Sequence, residues 1–96
     1  MAPTQLQIKV NALKRLIKEK KFYDQEVGEH EQYVNKLKSN GADEYELKKQ
    51  IQVLEESKRM IPEINKKIHE HRKALEKFLT SYKGEEDLKE ANELIA

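Results

Sequence analysis

Ninety-six residues with a formal net charge of +1, an apolar share of 36% and a charged share of 39% leave room for one domain with a single small core and exclude a second, catalytic domain. Three glycines and two prolines beside that much charge are the profile of long solvated helices rather than of a compact α/β unit. With no cysteine in the chain there is neither a disulfide nor a thiol nucleophile, and the cytosol is the default expectation.

The first predicted helix starts at residue 5, where Thr4 followed by Gln7 is a capping-box pattern with Pro3 just before it. Its apolar line runs Leu6, Val10, Leu13, Ile17 and then moves round to Leu16, Tyr23, Val27, His30, Val34 and Leu37, the drift expected of a 3.6-residue helix that does not hold a 3.5 period. No proline interrupts it, and Gly28 is a tolerated weak point of about 1 kcal/mol. Ser39-Asn40-Gly41 ends it near residue 39, since Asn and Gly can take the left-handed conformation. Asp43 with Glu46 then offers a second capping-box-like start, and so short a connection makes the two helices antiparallel neighbours.

The second helix, about 44–82, carries an apolar residue at every seventh position: Leu47, Leu54, Ile61, Ile68, Leu75 and Tyr82. Ile51, Ile64, Phe78 and Leu79 widen this column into a stripe. Pro62 stands in the middle, where it removes an N–H and crowds the preceding turn at a cost of roughly 3 kcal/mol. A fresh helix starting at Pro62 would need Ile61 as its N-cap, and Ile has no atom to accept a backbone N–H. The reading is therefore one long helix kinked at Pro62. Gly84 is its stop, and a short third helix, about 86–96, places Leu88, Ala91, Leu94 and Ile95 on one face behind Glu85, Glu86 and Asp87, acids that suit a helix N-terminus.

The small net charge hides alternating blocks. Residues 1–21 carry six basic side chains against Glu19, and residues 22–47 carry seven acids against Lys36 and Lys38. Residues 48–83 carry ten basic and five acidic side chains, and residues 84–96 five acids against Lys89. Since a hairpin returns residue 83 to the N-terminus, the acidic third helix is expected along the basic first segment. The fold class is all-α, an elongated antiparallel three-helix bundle forming one domain over residues 1–96.

Two helices of about 35 residues are about 52 Å long, and a third of about 11 covers only about 16 Å. Val34, Leu37, Val53 and Leu54 at the loop end are then left partly open, and exposed apolar surface marks a partner site. A monomer with an open seam and a homodimer pairing two such seams both fit this pattern.

No chemistry of catalysis or metal binding stands out. His69 and His71 point roughly 200° apart on a helix and cannot chelate one ion, and His30 lies opposite the mid-fifties of the hairpin. His30 and His71 read as seam-edge residues and His69 as solvated. Ser57 has Glu55 and Glu56 nearby but no histidine in helical reach, and a rod supplies no concave pocket for an oxyanion. Three isolated glycines hold no phosphate-binding pattern. The chain reads as a non-enzyme without cofactors. The cluster Lys14, Arg15, Lys18, Lys20 and Lys21 can contact phosphates, yet the adjoining acidic helix and a pI near 7.9 weigh against a nucleic-acid partner. No apolar run approaches the roughly 20 residues of a membrane span, and MAPTQLQIKV lacks the apolar core of a secretory signal. Tyr45, Phe22, Met60 and Val53 lie off the main columns and either cover seam edges or anchor a partner.

The run Leu47-Lys48-Lys49-Gln50, then Val53-Leu54, then Glu56-Ser57-Lys58-Arg59-Met60-Ile61-Pro62 resembles the central motif of the tubulin-folding cofactor A (tubulin-specific chaperone A) family. Ile8-Lys9 with Leu13-Lys14-Arg15-Leu16-Ile17-Lys18-Glu19 is similar to that family's first helix, and Met1-Ala2-Pro3-Thr4-Gln5-Leu6 with Phe78-Leu79 and Tyr82-Lys83-Gly84 resembles its fungal members. The resemblance spans the whole chain, although family members usually carry a longer third helix than this one can build after Gly84. It implies an elongated three-helix protein that captures β-tubulin released from the cytosolic chaperonin and holds it until cofactor D takes it over. It implies no nucleotide, metal or catalysis, and a cytoplasmic, cytoskeleton-associated location.

For such a client the expected contact residues are Tyr45, Lys48, Lys49, Glu55, Glu56, Ser57, Lys58, Arg59, Met60, Pro62 and Lys66, a set centred on the motif. Basic side chains would steer association while apolar edges hold. The alternatives are a coiled-coil scaffold or adaptor for another protein and a nucleic-acid-binding helical hairpin.

Overall fold

The computed structural model describes residues 2–96 and comprises three helices: α1, Gln5–Ser39; α2, Glu44–Thr80; and α3, Lys89–Ile95. Together they form a rod 63 Å long and 24 by 20 Å across, with no strand among the described residues. The all-α, elongated three-helix architecture expected from the periodicity is the one observed.

α1 begins as its first residues dictate. Thr4 is extended, its hydroxyl accepts the Gln7 N–H at 3.1 Å, and the Gln7 side chain accepts the Thr4 N–H at 2.9 Å, the reciprocal pair of a capping box. At the far end the Asn40 N–H reaches the Lys36 carbonyl at 3.0 Å and the Ala42 N–H reaches Leu37 at 3.0 Å. Gly41 alone takes a left-handed φ of 67°, while Asn40 stays at −87°, because only glycine does so without a Cβ penalty.

α2 starts less tidily. Asp43 makes no side-chain capping bond, so the expected box with Glu46 does not close. The Glu46 carboxylate accepts the Gln50 amide at 3.1 Å instead, and Asp43 contributes its carbonyl to the Leu47 N–H at 2.9 Å. The helix then continues through Pro62 without a break. Pro62 and Lys58 are both exposed, so water can satisfy the Lys58 carbonyl that the proline leaves without a donor.

α2 stops at Thr80, two residues before the expected 82, and α3 opens at Lys89 rather than at 86. The cause is tertiary. The Tyr82 hydroxyl donates to one Glu86 carboxylate oxygen at 3.0 Å, and the Thr4 hydroxyl donates to the other at 2.9 Å. The Glu86 N–H in turn donates to the Tyr82 oxygen at 3.3 Å. The phenol lies so close over Gly84 that a Cβ there would sit 2.5 Å from a ring carbon. Glu86 is thus occupied in tying the start of α1 to the end of α2. Asp87 serves α3 in its place, accepting the Lys89 N–H at 3.0 Å. Burial raises the Tyr82 pKa above the ordinary phenol value against the opposing pull of the Glu86 N–H, and the adjacent Glu86 carboxylate adds to the rise.

The apolar column divides into two cores. Leu6, Val10, Leu13, Ile64, Ile68, Leu75 and Ala91 form the first, with Phe78, Tyr82 and Leu94 among the side chains packed against it. Val27, Val34 and Leu54 form the second, flanked by half-buried Leu47, Ile51 and Ile61. The short α3, about 10 Å long at 1.5 Å per residue, covers only the first. It lies along the basic start of α1 as the charge blocks require: Glu90 pairs with Lys14 at 2.6 Å, and Arg72 donates to the Leu94 carbonyl at 3.0 Å. That places a guanidinium at the negative end of the helix.

Candidate protein-interaction surface

Every expected contact residue lies on α2, and all but Ser57 are exposed. Ser57 is half-buried and returns its hydroxyl to the Val53 carbonyl at 3.1 Å, a local bond that occupies its only donor. At about 100° per residue the others divide. Lys48, Glu55, Lys58, Arg59, Pro62 and Lys66 follow one flank of α2, and Lys49, Glu56 and Met60 follow the other. Tyr45 stands at the back of the first turn, 74% exposed. Contiguous in sequence, the motif is spread in space over two flanks.

Each flank meets α1 in a groove. On the first, Glu31, Asn35 and Lys38 of α1 face Ile51, Glu55 and Lys58 of α2 over a floor of Val34 and Leu54. Lys58 and Glu31 pair across it at 2.8 Å, both about half exposed, a geometry worth at most about 1 kcal/mol. On the second, Glu26, Glu29, His30 and Tyr33 face Ser57. His30 Nε2 lies 3.1 Å from the Gln50 carbonyl, so it is the protonated nitrogen and donates. His30 is therefore the seam-edge residue expected, and its ring leans on Tyr33 at 5.9 Å. His69 is exposed as expected, but so is His71, which the sequence had placed at the seam edge. The stripe at that level is filled by Ile68 and Leu75, and it leaves no place for His71.

The second flank also gathers an apolar edge. Val53 and Met60 lie four residues before and three after Ser57, hence on its side of α2. Across the groove Tyr33 and Phe22 are eleven residues apart, three helical turns. Phe22 is 64% exposed, Tyr33 46%, and Val53 and Met60 41% each. Phe22, Val53 and Met60 stood out in the sequence as off-column residues. Tyr33 did not, and its spacing from Phe22 was the signal available.

Nothing in these grooves is assembled for bond-making. Among the described residues no three His, Asp or Glu side chains are grouped to hold a metal ion. No helix among the described residues is long and apolar enough to cross a membrane. What the arrangement can do is present a long, charge-patterned, partly apolar face.

A protein-family model described as tubulin binding cofactor A matches residues 1–95. The chain is 50% identical over 96 residues to the tubulin-specific chaperone A of Saccharomyces cerevisiae, covering 99% of this chain and 91% of the relative. It is 35% identical over 89 residues to the tubulin-specific chaperone A of Homo sapiens, covering 93% of this chain and 80% of that one. Among solved structures, a β-tubulin binding post-chaperonin cofactor superposes with a TM-score of 0.91 at 48% identity, over 96% of this chain and 91% of the other. The tubulin folding cofactor A of Arabidopsis thaliana superposes with a TM-score of 0.82 at 31% identity, over 94% and 88%.

Proposed function

The chain belongs to the tubulin binding cofactor A family, and from that premise we propose that it is a post-chaperonin tubulin-folding cofactor. It captures β-tubulin released from the cytosolic chaperonin, keeps it from aggregating, and passes it on for assembly of the αβ heterodimer, with cofactor D as the receiver. The observation that carries this reading is the 0.91 superposition on a β-tubulin binding cofactor at 48% identity over nearly the whole chain. The work is done in the cytoplasm beside the microtubule cytoskeleton. It requires binding and release and no catalysis, nucleotide or metal.

The loop half of the rod suits such a client. A polypeptide not yet joined to its partner subunit exposes apolar surface, and Phe22, Tyr33, Val53 and Met60 offer an apolar edge that can cover some of it. Lys48, Lys49, Arg59 and Lys66 lie outside any ion pair within 4 Å among the described residues. They are free to steer an acidic surface into register. Lys58 is tied to Glu31 only by an exposed pair that a competing carboxylate can replace. Tyr45, Glu55, Glu56 and Pro62 complete the contact set, of which Lys66 alone lies beyond the loop half, between Ile64 and Ile68 of the first core.

The test is capture of β-tubulin from a chaperonin folding reaction by the purified chain. A complex of defined stoichiometry on gel filtration is the expected result. Absence of any complex with properly released β-tubulin would overturn the reading.

A further inference from the structure

The two flanks of the α1–α2 seam differ in charge and in what can cover them. α3 packs on the side of Lys14 and Arg72. Steps of seven residues, about two helical turns, lead from Lys14 through Lys21 to Asn35 on α1 and from Arg72 through Asn65 and Lys58 to Ile51 on α2. The side that bears α3 therefore continues into the first flank, whose groove holds Asn35, Ile51 and Lys58. A chain prolonging α3 in line would run over that flank. The second flank lies across the seam, out of its reach.

On the second flank α1 presents Glu19, Phe22, Glu26, Glu29 and Tyr33 at alternating steps of three and four, and α2 presents Val53, Glu56, Met60 and Glu63 in the same rhythm. All of them are exposed. None of the carboxylates is in an ion pair within 4 Å among the described residues, although Glu29 accepts the Gln25 amide at 3.1 Å. Lys36 and Lys49 stand beyond this stretch toward the loop, and Lys67 stands beyond its other end. Glu26 and Glu29, one turn apart, repel each other, and a cation placed between them relieves that repulsion.

Phe22, Tyr33, Val53 and Met60 are the apolar edge offered to the client, and the carboxylates stand among them. A segment that covers the edge must meet those acids. We infer that the client segment seated on the second flank is a basic amphipathic helix, with its apolar face on Phe22, Tyr33, Val53 and Met60 and its Lys and Arg side chains on Glu26, Glu29 and Glu56. α3 shows that the seam accepts a helix laid along it. The inference rests on the tubulin-binding reading and gives the two sides of the rod complementary tasks: Lys48, Lys58 and Arg59 meet acidic surface of the client, and the second flank holds a basic segment of it.

The experiment puts the photo-crosslinking residue p-benzoylphenylalanine in place of Phe22, which keeps an aromatic ring and every carboxylate, and in place of Asn35 on the first flank as a control. Crosslinks in the complex with β-tubulin are mapped by mass spectrometry. Position 22 should crosslink to a segment carrying Lys or Arg at helical spacing, and position 35 should not reach that segment. Glu26→Lys with Glu29→Lys should weaken capture roughly tenfold, chiefly in the association rate. The sign is decisive, because the same change would speed association with a purely acidic surface. Glu26→Gln with Glu29→Gln serves if the reversal disturbs the fold by circular dichroism, and should cause a smaller loss in the same direction.

A complex that forms normally yet gives no crosslink from position 22, or one to a segment without basic residues or to a second copy of this chain, overturns the inference and leaves the tubulin-binding reading standing. So does unchanged or tighter capture by the folded double variants. If the unmodified chain forms no complex, both fall together.

Discussion

The two halves of the rod are built from the same apolar column and end up differently buried. Where α3 closes the seam, Leu13 and Leu75 are 0% exposed. Where only α1 and α2 meet, no side chain is fully enclosed: Val34 keeps 3%, Val27 and Leu54 keep 8%, and Leu47, Ile51 and Ile61 are half-buried. A third helix of seven residues makes that difference. Two facing helices can each bury only the stripe between them, and a third removes the solvent above the stripe. The closed half therefore holds the fully enclosed part of the core, and the open half leaves apolar side chains at the surface.

This contrast is most directly broken by truncating one leucine in each half. Leu75→Ala should cost about 3–5 kcal/mol, because a fully enclosed site leaves a cavity that cannot collapse. Leu54→Ala, with solvent already at its edge, should cost about 2 kcal/mol. Urea unfolding followed by circular dichroism measures both. Equal losses would mean that the two halves are equally closed and that burial does not separate fold from function.

Pro62→Ala tests the open half in the other direction. The proline deprives Lys58 of a helical donor at an exposed position, and alanine restores both the N–H and the better propensity. A gain of about 2 kcal/mol in thermal or urea unfolding is expected. No gain would show that this half already accommodates the proline without strain. Gly84→Ala acts on the closed half. Its Cβ would strike the Tyr82 phenol, displacing the ring from Glu86 and loosening α3 from α1 and α2. A loss of about 1–2 kcal/mol is expected, with faster amide exchange over residues 89–95 and none over the loop end.

Most of the architecture was legible because it is written at helical spacing. The column from Leu47 to Tyr82, the drift of the α1 line past Ile17 and the Thr4/Gln7 cap are local patterns, and each is found where the spacing put it. What escaped was set by partners distant in sequence. The Thr4–Glu86 bond joins residues 82 apart, and it, with Tyr82, decides where α2 ends and where α3 begins. Asp43 looked like a cap, yet its side chain makes no capping bond, and Glu46 turns to Gln50. The candidate surface was half legible. Its residues were named from one contiguous motif, but consecutive positions on a helix diverge by about 100°, so Lys48 and Lys49 take different flanks. The groove between flanks also needs Glu31, Tyr33 and Lys38 from α1, and no motif on α2 can supply them.

The smallest expected effect on stability is the sharpest on function. Lys58→Glu with Arg59→Glu removes one exposed ion pair and reverses two exposed charges, and such changes shift unfolding by less than about 1 kcal/mol. The same pair stands beside the groove of the open half, where its charge is available to a client. Capture of β-tubulin should therefore weaken while the unfolding curve stays nearly where it was, and the loss should shrink as salt screens the wild-type attraction. Loss of stability together with binding would mean that Lys58 and Arg59 hold the rod together. Unchanged capture by a well-folded variant would move the basic contact off Lys58 and Arg59.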